Sequence, residues 1–184
     1  MWDNEKNKEL VKILKAGGVV VMPTDTIYGI VASALDVSAT NRVYEIRKRD
    51  SNKPCIILIG GLEDVQKFGI FLTEEQKNEI GKFQGPVSFV VDIEGERFAY
   101  LHRSTKTLAF RLPAREDLRN LLKETGPLIA PSANIEGQPP AKNIIEAKKY
   151  FGDQVNLYVD GGEIRGQASK VVRLHTDGSM EIFR

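Results

Sequence analysis

The chain has 184 residues, a formal net charge of +1 and one cysteine. That length suits a single domain with a substantial core, and near-neutrality excludes a protein that captures polyanions by bulk charge, so any such role must come from a local cluster. One cysteine cannot close an intramolecular disulfide and argues for a reducing compartment; the polar start Met1-Trp2-Asp3-Asn4 does not read as a signal peptide and no apolar run approaches a membrane span, so a cytoplasmic, non-membrane protein is expected.

In chain order, residues 5–16 place Leu10, Ile13 and Leu14 at helical spacing, and Gly17-Gly18 stops the helix. Val19 to Met22 is a β-branched apolar run that suits a buried strand. Pro23 ends it. Thr24-Asp25-Thr26 then sets two hydroxyls and a carboxylate at the strand's C-terminal end, where open α/β sheets bind ligands. Tyr28-Gly29 leads to a helix with Asp36 or Ser38 as N-cap and Val43, Tyr44 and Ile46 on its inner face. That helix ends in Arg47-Lys48-Arg49, with Lys53 close behind.

Cys55 to Ile59 reads as a strand, with Cys55 a buried small hydrophobe. Leu62 to Phe68 is a short helix. Thr73-Glu74-Glu75-Gln76 is a capping box that opens another helix. Gln84-Gly85-Pro86 turns into the strand 87–91, and the polar segment 94–106 reads as a loop or edge element. Thr107 to Leu112 is a strand, Glu116 to Lys123 a helix and Leu128 to Ala130 a short strand ending in Pro131-Ser132-Ala133-Asn134. After a Gly/Pro loop, 142–151 is a helix whose aliphatic face includes Ile144, Ile145 and Ala147. Strands at 155–159, 170–174 and 180–183 complete the chain, the last two joined by Asp177-Gly178. Interleaved strands and helices with hairpin-like links predict an α/β (α+β) fold: a twisted, mixed parallel and antiparallel sheet with helices packed on it.

Several chemistries lack their signatures. There is no P-loop, no dinucleotide fingerprint and no zinc pattern. His102 and His175 sit in no motif and read as surface or turn histidines. Against this stands a repeated placement of polar groups. Two strands end in proline followed by small hydroxyl or amide residues, and a third carries Arg111 just before Pro113. Arg47, Lys48, Arg49 and Lys53 form a cationic cluster; arginine forks bind phosphate or carboxylate oxygens in pairs. Such a set, gathered in a cleft, suits a polyanion together with a small zwitterion.

Pro23-Thr24-Asp25-Thr26-Ile27-Tyr28-Gly29, Arg47-Lys48-Arg49 with Lys53-Pro54, Gly85-Pro86-Val87-Ser88, Arg111-Leu112-Pro113, Ala130-Pro131-Ser132-Ala133-Asn134 and Ser169, in that order, resemble the YrdC-type threonylcarbamoyl-adenylate synthases. The resemblance runs from about Gly17 to Arg184 and implies the short form, one domain over 1–184 with an open cleft. It implies the conversion of L-threonine, bicarbonate and ATP, with Mg2+, to threonylcarbamoyl-AMP and pyrophosphate. The product would serve a downstream transferase that modifies adenosine 37 of tRNA. By position, Thr24, Thr26, Arg111 and Ser169 would hold threonine. Arg47 and Arg49 would act on the phosphates as the catalytic pair, and Ser132, Asn134 and Arg184 would join them in binding nucleotide.

The chain departs from that pattern at Arg47, where lysine is usual, at Asp50 for proline, at Phe83-Gln84 for Trp-Pro, at Ser88 for threonine and at Lys170 for threonine. Three alternatives accompany the synthase reading. One is a carbamoyl-adenylating module of hydrogenase-maturation type, although that resemblance normally brings further segments. The second is an RNA-binding module using the Arg47–Lys53 cluster, or at least a weak RNA contact. The third is a paralogue that binds nucleotide without making product.

Overall fold

The computed structural model describes residues 4–83 and 85–183. The first helix, α1 (Asn4–Lys15), buries Leu10 and Leu14 at helical spacing. It stops at Gly17, whose φ of +78° is cheap only for glycine; the Gly18 N–H returns to the Ile13 carbonyl. The chain then forms a hairpin, β1 (Val20–Pro23) and β2 (Tyr28–Ser33), around the Thr24–Ile27 turn. Helix α2 (Val37–Arg47) follows, with Asp36 as the N-cap accepting from the Ala39 N–H at 3.0 Å. Val43, Tyr44 and Ile46 are buried as expected, and Lys48 caps the C-terminus in the left-handed region with its side chain exposed.

Beyond it come β3 (Ile56–Leu58), a 3-10 segment at Leu62–Phe68, α3 (Glu74–Gly81) and β4 (Val87–Asp92). The Thr73–Gln76 capping box is complete in both directions. Next are α4 (Ala99–His102), β5 (Thr107–Arg111), α5 (Glu116–Thr125), β6 (Leu128–Ile129), α6 (Ile144–Phe151), β7 (Leu157–Tyr158), β8 (Lys170–Leu174) and β9 (Met180–Ile182).

Among the described residues, nine strands join one sheet in the order β7-β1-β2-β6-β3-β5-β4-β8-β9. The pairs β1/β7, β3/β5 and β4/β8 are parallel and the other five are antiparallel. The mixed α/β fold predicted from the sequence is therefore the fold observed. On one sheet face, Ile57, Leu108, Phe110, Phe89, Val91 and Val172 form the main core with α2, α4, α6 and the 3-10 segment. On the other face, α1 and α5 cover β1, β2, β3 and β6 through Leu14, Leu118, Leu122, Met22, Leu58 and Leu128. They leave the β5, β4 and β8 part of that face open, and the cleft lies there.

Several expectations need correction. Tyr28–Ser33, ahead of the expected helix, is a strand that the sequence reading does not assign; it is buried on both faces, so its pattern carries no alternation to read. Segment 94–106 contains α4, which buries Leu101 and His102. His102 is thus a core histidine, 1% exposed, with Nδ1 accepting from the Ser104 N–H. Ile145 is 66% exposed and lies off the aliphatic face of α6. The strands expected at 128–130 and 155–159 shrink to two residues each.

Candidate active site

Five separate segments meet at the open part of the sheet. The first is the turn between β1 and β2. The Thr24 hydroxyl organises it, donating to the Ile27 carbonyl at 2.7 Å and accepting from the N–H groups of Thr26 and Ile27. The Thr26 hydroxyl lies 3.1 Å from it. Both side chains are fixed before any ligand arrives.

Strand β5 brings Arg111 beneath this turn. Its Nη2 lies 3.5 Å from the Thr24 hydroxyl and 3.0 Å from Asp25 Oδ1. Both ionic side chains are almost wholly buried, at 5% and 3% exposure. The two side chains form a close ion pair, and Arg111 Nε has no hydrogen-bond partner among the described residues. Burial lowers the Arg111 guanidinium from its ordinary range, and Asp25 opposes that shift.

The third segment is the end of α2 and the loop after it. Arg49 lines the cleft, with Nε on the Lys53 carbonyl at 3.1 Å and Nη2 on the Pro54 carbonyl at 2.9 Å. Arg47 behaves differently. It is 2% exposed and is not among the residues that line the cleft. Its Nε donates to the Asn134 carbonyl at 3.0 Å, and its Nη2 reaches Ser132 Oγ at 3.2 Å and Asn134 Oδ1 at 3.1 Å. Burial and the nearby Arg49 charge lower it to about 10, still cationic at neutral pH. Lys53 is held by Glu136 at 2.7 Å, and the same carboxylate accepts from the Asp50 N–H. Those two donors hold Glu136 below the usual carboxylate range.

The fourth segment, after β6, places Ser132 on the cleft wall. Asn134 is buried, and its Nδ2 is spent on the carbonyls of Ile135 and Gln138 at 2.8 Å each. The fifth is the irregular stretch 160–169, which straps over the turn. The Tyr28 hydroxyl anchors it, accepting from the Gly161 N–H and donating to the Gly162 carbonyl, each at 2.8 Å. Gly166 presses on the turn so closely that a Cβ there would stand 1.8 Å from the Thr26 carbonyl oxygen. Ser169 ends the strap with its hydroxyl 2.8 Å from that of Ser88.

The resulting cleft has a volume of about 500 Å3. One end gathers Thr24, Thr26, Arg111, Ser132 and Ser169; the floor is the sheet itself, with Ile56, Val90, Ala109 and Val171. Cys55 also borders it, and burial pushes its thiol up against the opposing pull of Arg49 and Arg47. Of the expected site residues, Thr24, Thr26, Arg49, Arg111, Ser132 and Ser169 meet on the cleft wall, Arg47 and Asn134 stand behind it, and Arg184 lies outside the described residues. Asp25, Tyr28 and Gly166 carry structural tasks that spacing alone did not reveal. Among the described residues no three His, Cys, Asp or Glu side chains gather as a metal site, and no helix is long and apolar enough to cross a membrane.

A family model named Sua5/YciO/YrdC, with the description "Telomere recombination", matches residues 12–184. A Mycobacterium tuberculosis relative is 32% identical over 176 residues, 95% of this chain and 81% of its own length. The human threonylcarbamoyl-AMP synthase is 31% identical over 189 residues, 98% of this chain and 67% of that protein. A structure of Pyrococcus abyssi Sua5 complexed with L-threonine superposes with a TM-score of 0.89 at 29% identity; the match covers this whole chain and 55% of the Pyrococcus chain. The chain thus spans about half the length of that solved relative. Full-length HypF, in a phosphate- and nucleotide-bound form, shares the fold with a TM-score of 0.83 at 22% identity.

Proposed function

The chain belongs to the Sua5/YciO/YrdC family, and from that premise we propose that it is a nucleotidyltransferase that makes threonylcarbamoyl-AMP and pyrophosphate from L-threonine, bicarbonate and ATP. The observation that carries this reading is the convergence of Thr24, Thr26, Arg49, Arg111, Ser132 and Ser169, from five segments, on one cleft. The threonine-bound Pyrococcus relative has the same fold.

The cleft's polar end suits an amino acid. Arg111 takes the threonine carboxylate, and the fixed hydroxyls of Thr24, Thr26 and Ser169 meet its remaining polar groups. Arg49 and Ser132 face the phosphates, while Arg47 and Asn134 serve the nucleotide by holding Ser132 in place. Arg184, by its position in the family pattern, would contribute to nucleotide binding. The threonine amine and bicarbonate condense to a carbamate, losing water. A carbamate oxygen then attacks the α-phosphorus of ATP, and pyrophosphate leaves. No protein nucleophile is needed; the catalytic work is positioning and charge stabilisation. Magnesium, brought in with the triphosphate, would supply charge neutralisation for the leaving pyrophosphate.

The product is a reactive mixed anhydride, so a transferase acting on tRNA adenosine 37 is its natural consumer. We place the reaction in the cytoplasm, within one domain over 1–184. Pyrophosphate release from ATP, with threonine and bicarbonate each omitted in turn, tests the assignment. Release is expected only with both present. Turnover without threonine would refute it, and ATP binding without turnover would favour a non-synthesising paralogue.

A further inference from the structure

The buried Asp25–Arg111 pair raises a question that substrate binding alone does not answer. Arg111 is the buried cation at the amino-acid end of a cleft in which two other substrates are anions. A lone buried guanidinium there would attract bicarbonate or a phosphate as readily as a carboxylate, because it binds planar and tetrahedral oxyanions alike. Asp25 lies 3.0 Å from Arg111 Nη2 and is itself screened from solvent, so the two charges interact through protein rather than water. Their hydrogen bonding is incomplete: Arg111 Nε is buried with no hydrogen-bond partner among the described residues. The pair is therefore electrically neutral yet retains unused polar capacity.

We propose that Asp25 is a specificity-determining residue, a counter-charge that makes the Arg111 end of the cleft select a zwitterionic amino acid and refuse simple anions. The inference rests on the reading that this end holds threonine. A neutral ion pair offers a zwitterion a favourable dipole, carboxylate toward Arg111 and ammonium toward the side of negative potential. It offers bicarbonate, inorganic phosphate or a misplaced triphosphate only partial attraction, since the guanidinium is already compensed by the fixed carboxylate and each anion must also shed its hydration. Asp25 acts through Arg111 and the local potential; it is not among the residues that line the cleft.

The test is threonine binding by calorimetry, without ATP, in the presence and absence of inorganic phosphate, for the parent protein and for Asp25→Asn, which keeps the shape and removes the charge. In the parent, phosphate should leave threonine affinity unchanged. In Asp25→Asn, phosphate should compete with threonine and weaken its apparent affinity by about tenfold, equivalent to ~1.4 kcal/mol. Competition of equal strength in both proteins, or none in Asp25→Asn, overturns the proposal. Threonine failing to bind the parent at all would instead refute the synthase reading and carry this inference down with it. Should Asp25→Asn not fold, the parent still decides: phosphate displacing threonine from it overturns the proposal, and a threonine site indifferent to phosphate beside Arg111 supports it.

Discussion

At the scale of single residues, the three basic positions after α2 have three different tasks. Lys48 is an exposed left-handed cap, Arg49 lines the cleft and Arg47 is a buried brace for the 132–134 loop. Arg49→Ala should therefore raise the KM for ATP by about tenfold to a hundredfold, the value of a hydrogen bond to a charged group at roughly 1.5–3 kcal/mol, whereas Lys48→Ala should leave it unchanged. Arg47→Lys puts back the residue usual in the resembling family, but lysine has no fork to reach Ser132 and both Asn134 oxygens together. It should lower thermal stability by about 2–8 °C, from roughly 1–2 kcal/mol of lost or unsatisfied hydrogen bonding. A melting curve beside ATP kinetics separates the two arginines. The cluster itself was legible in the sequence. The division of labour was not, because it depends on where the helix stops: one left-handed residue turns Arg49 toward the cleft while Arg47 remains on the inner face.

At the scale of elements, the strap over the threonine turn is set by backbone contacts. Gly166→Ala must move the strap outward, since no rotamer relieves a Cβ that meets the Thr26 carbonyl. An overpacking penalty of roughly 1–3 kcal/mol should appear as a rise in the KM for threonine, with the KM for ATP much less affected. Equal rises in both constants would show that the strap serves the whole cleft. The helices α1, α2 and α3 and their caps could be read because each carries its own signal within one or two turns: an apolar stripe, Asp36, the Thr73–Gln76 box. Strand β2 and helix α4 could not. Burial on both faces erases the period-2 pattern of β2. The four residues of α4 are too few for a helical period, and their burial comes from tertiary contacts.

At the scale of the whole molecule, the cleft exists because the helices on one face cover only part of a nine-stranded sheet. Ala109 lies mid-floor, paired with Ile56 and Val90, while its neighbour Phe110 points into the core. Ala109→Leu should fill the floor and abolish measurable ATP binding by calorimetry. The melting temperature should hold within about 2 °C, the range of a substitution that leaves the core alone. The family motifs exposed the polar rim of this cleft; its floor stayed hidden, because nothing in a run such as Thr107–Arg111 tells which face a helix will leave bare. The alternation has a wider consequence. Strands β4, β5 and β8 each carry two interleaved messages, one in the residues that address the helices and one in those that address the ligand. Adjacent letters answer to different readers. Substrate preference in this architecture can therefore drift by changes at every second position while the fold is copied unaltered in the positions between.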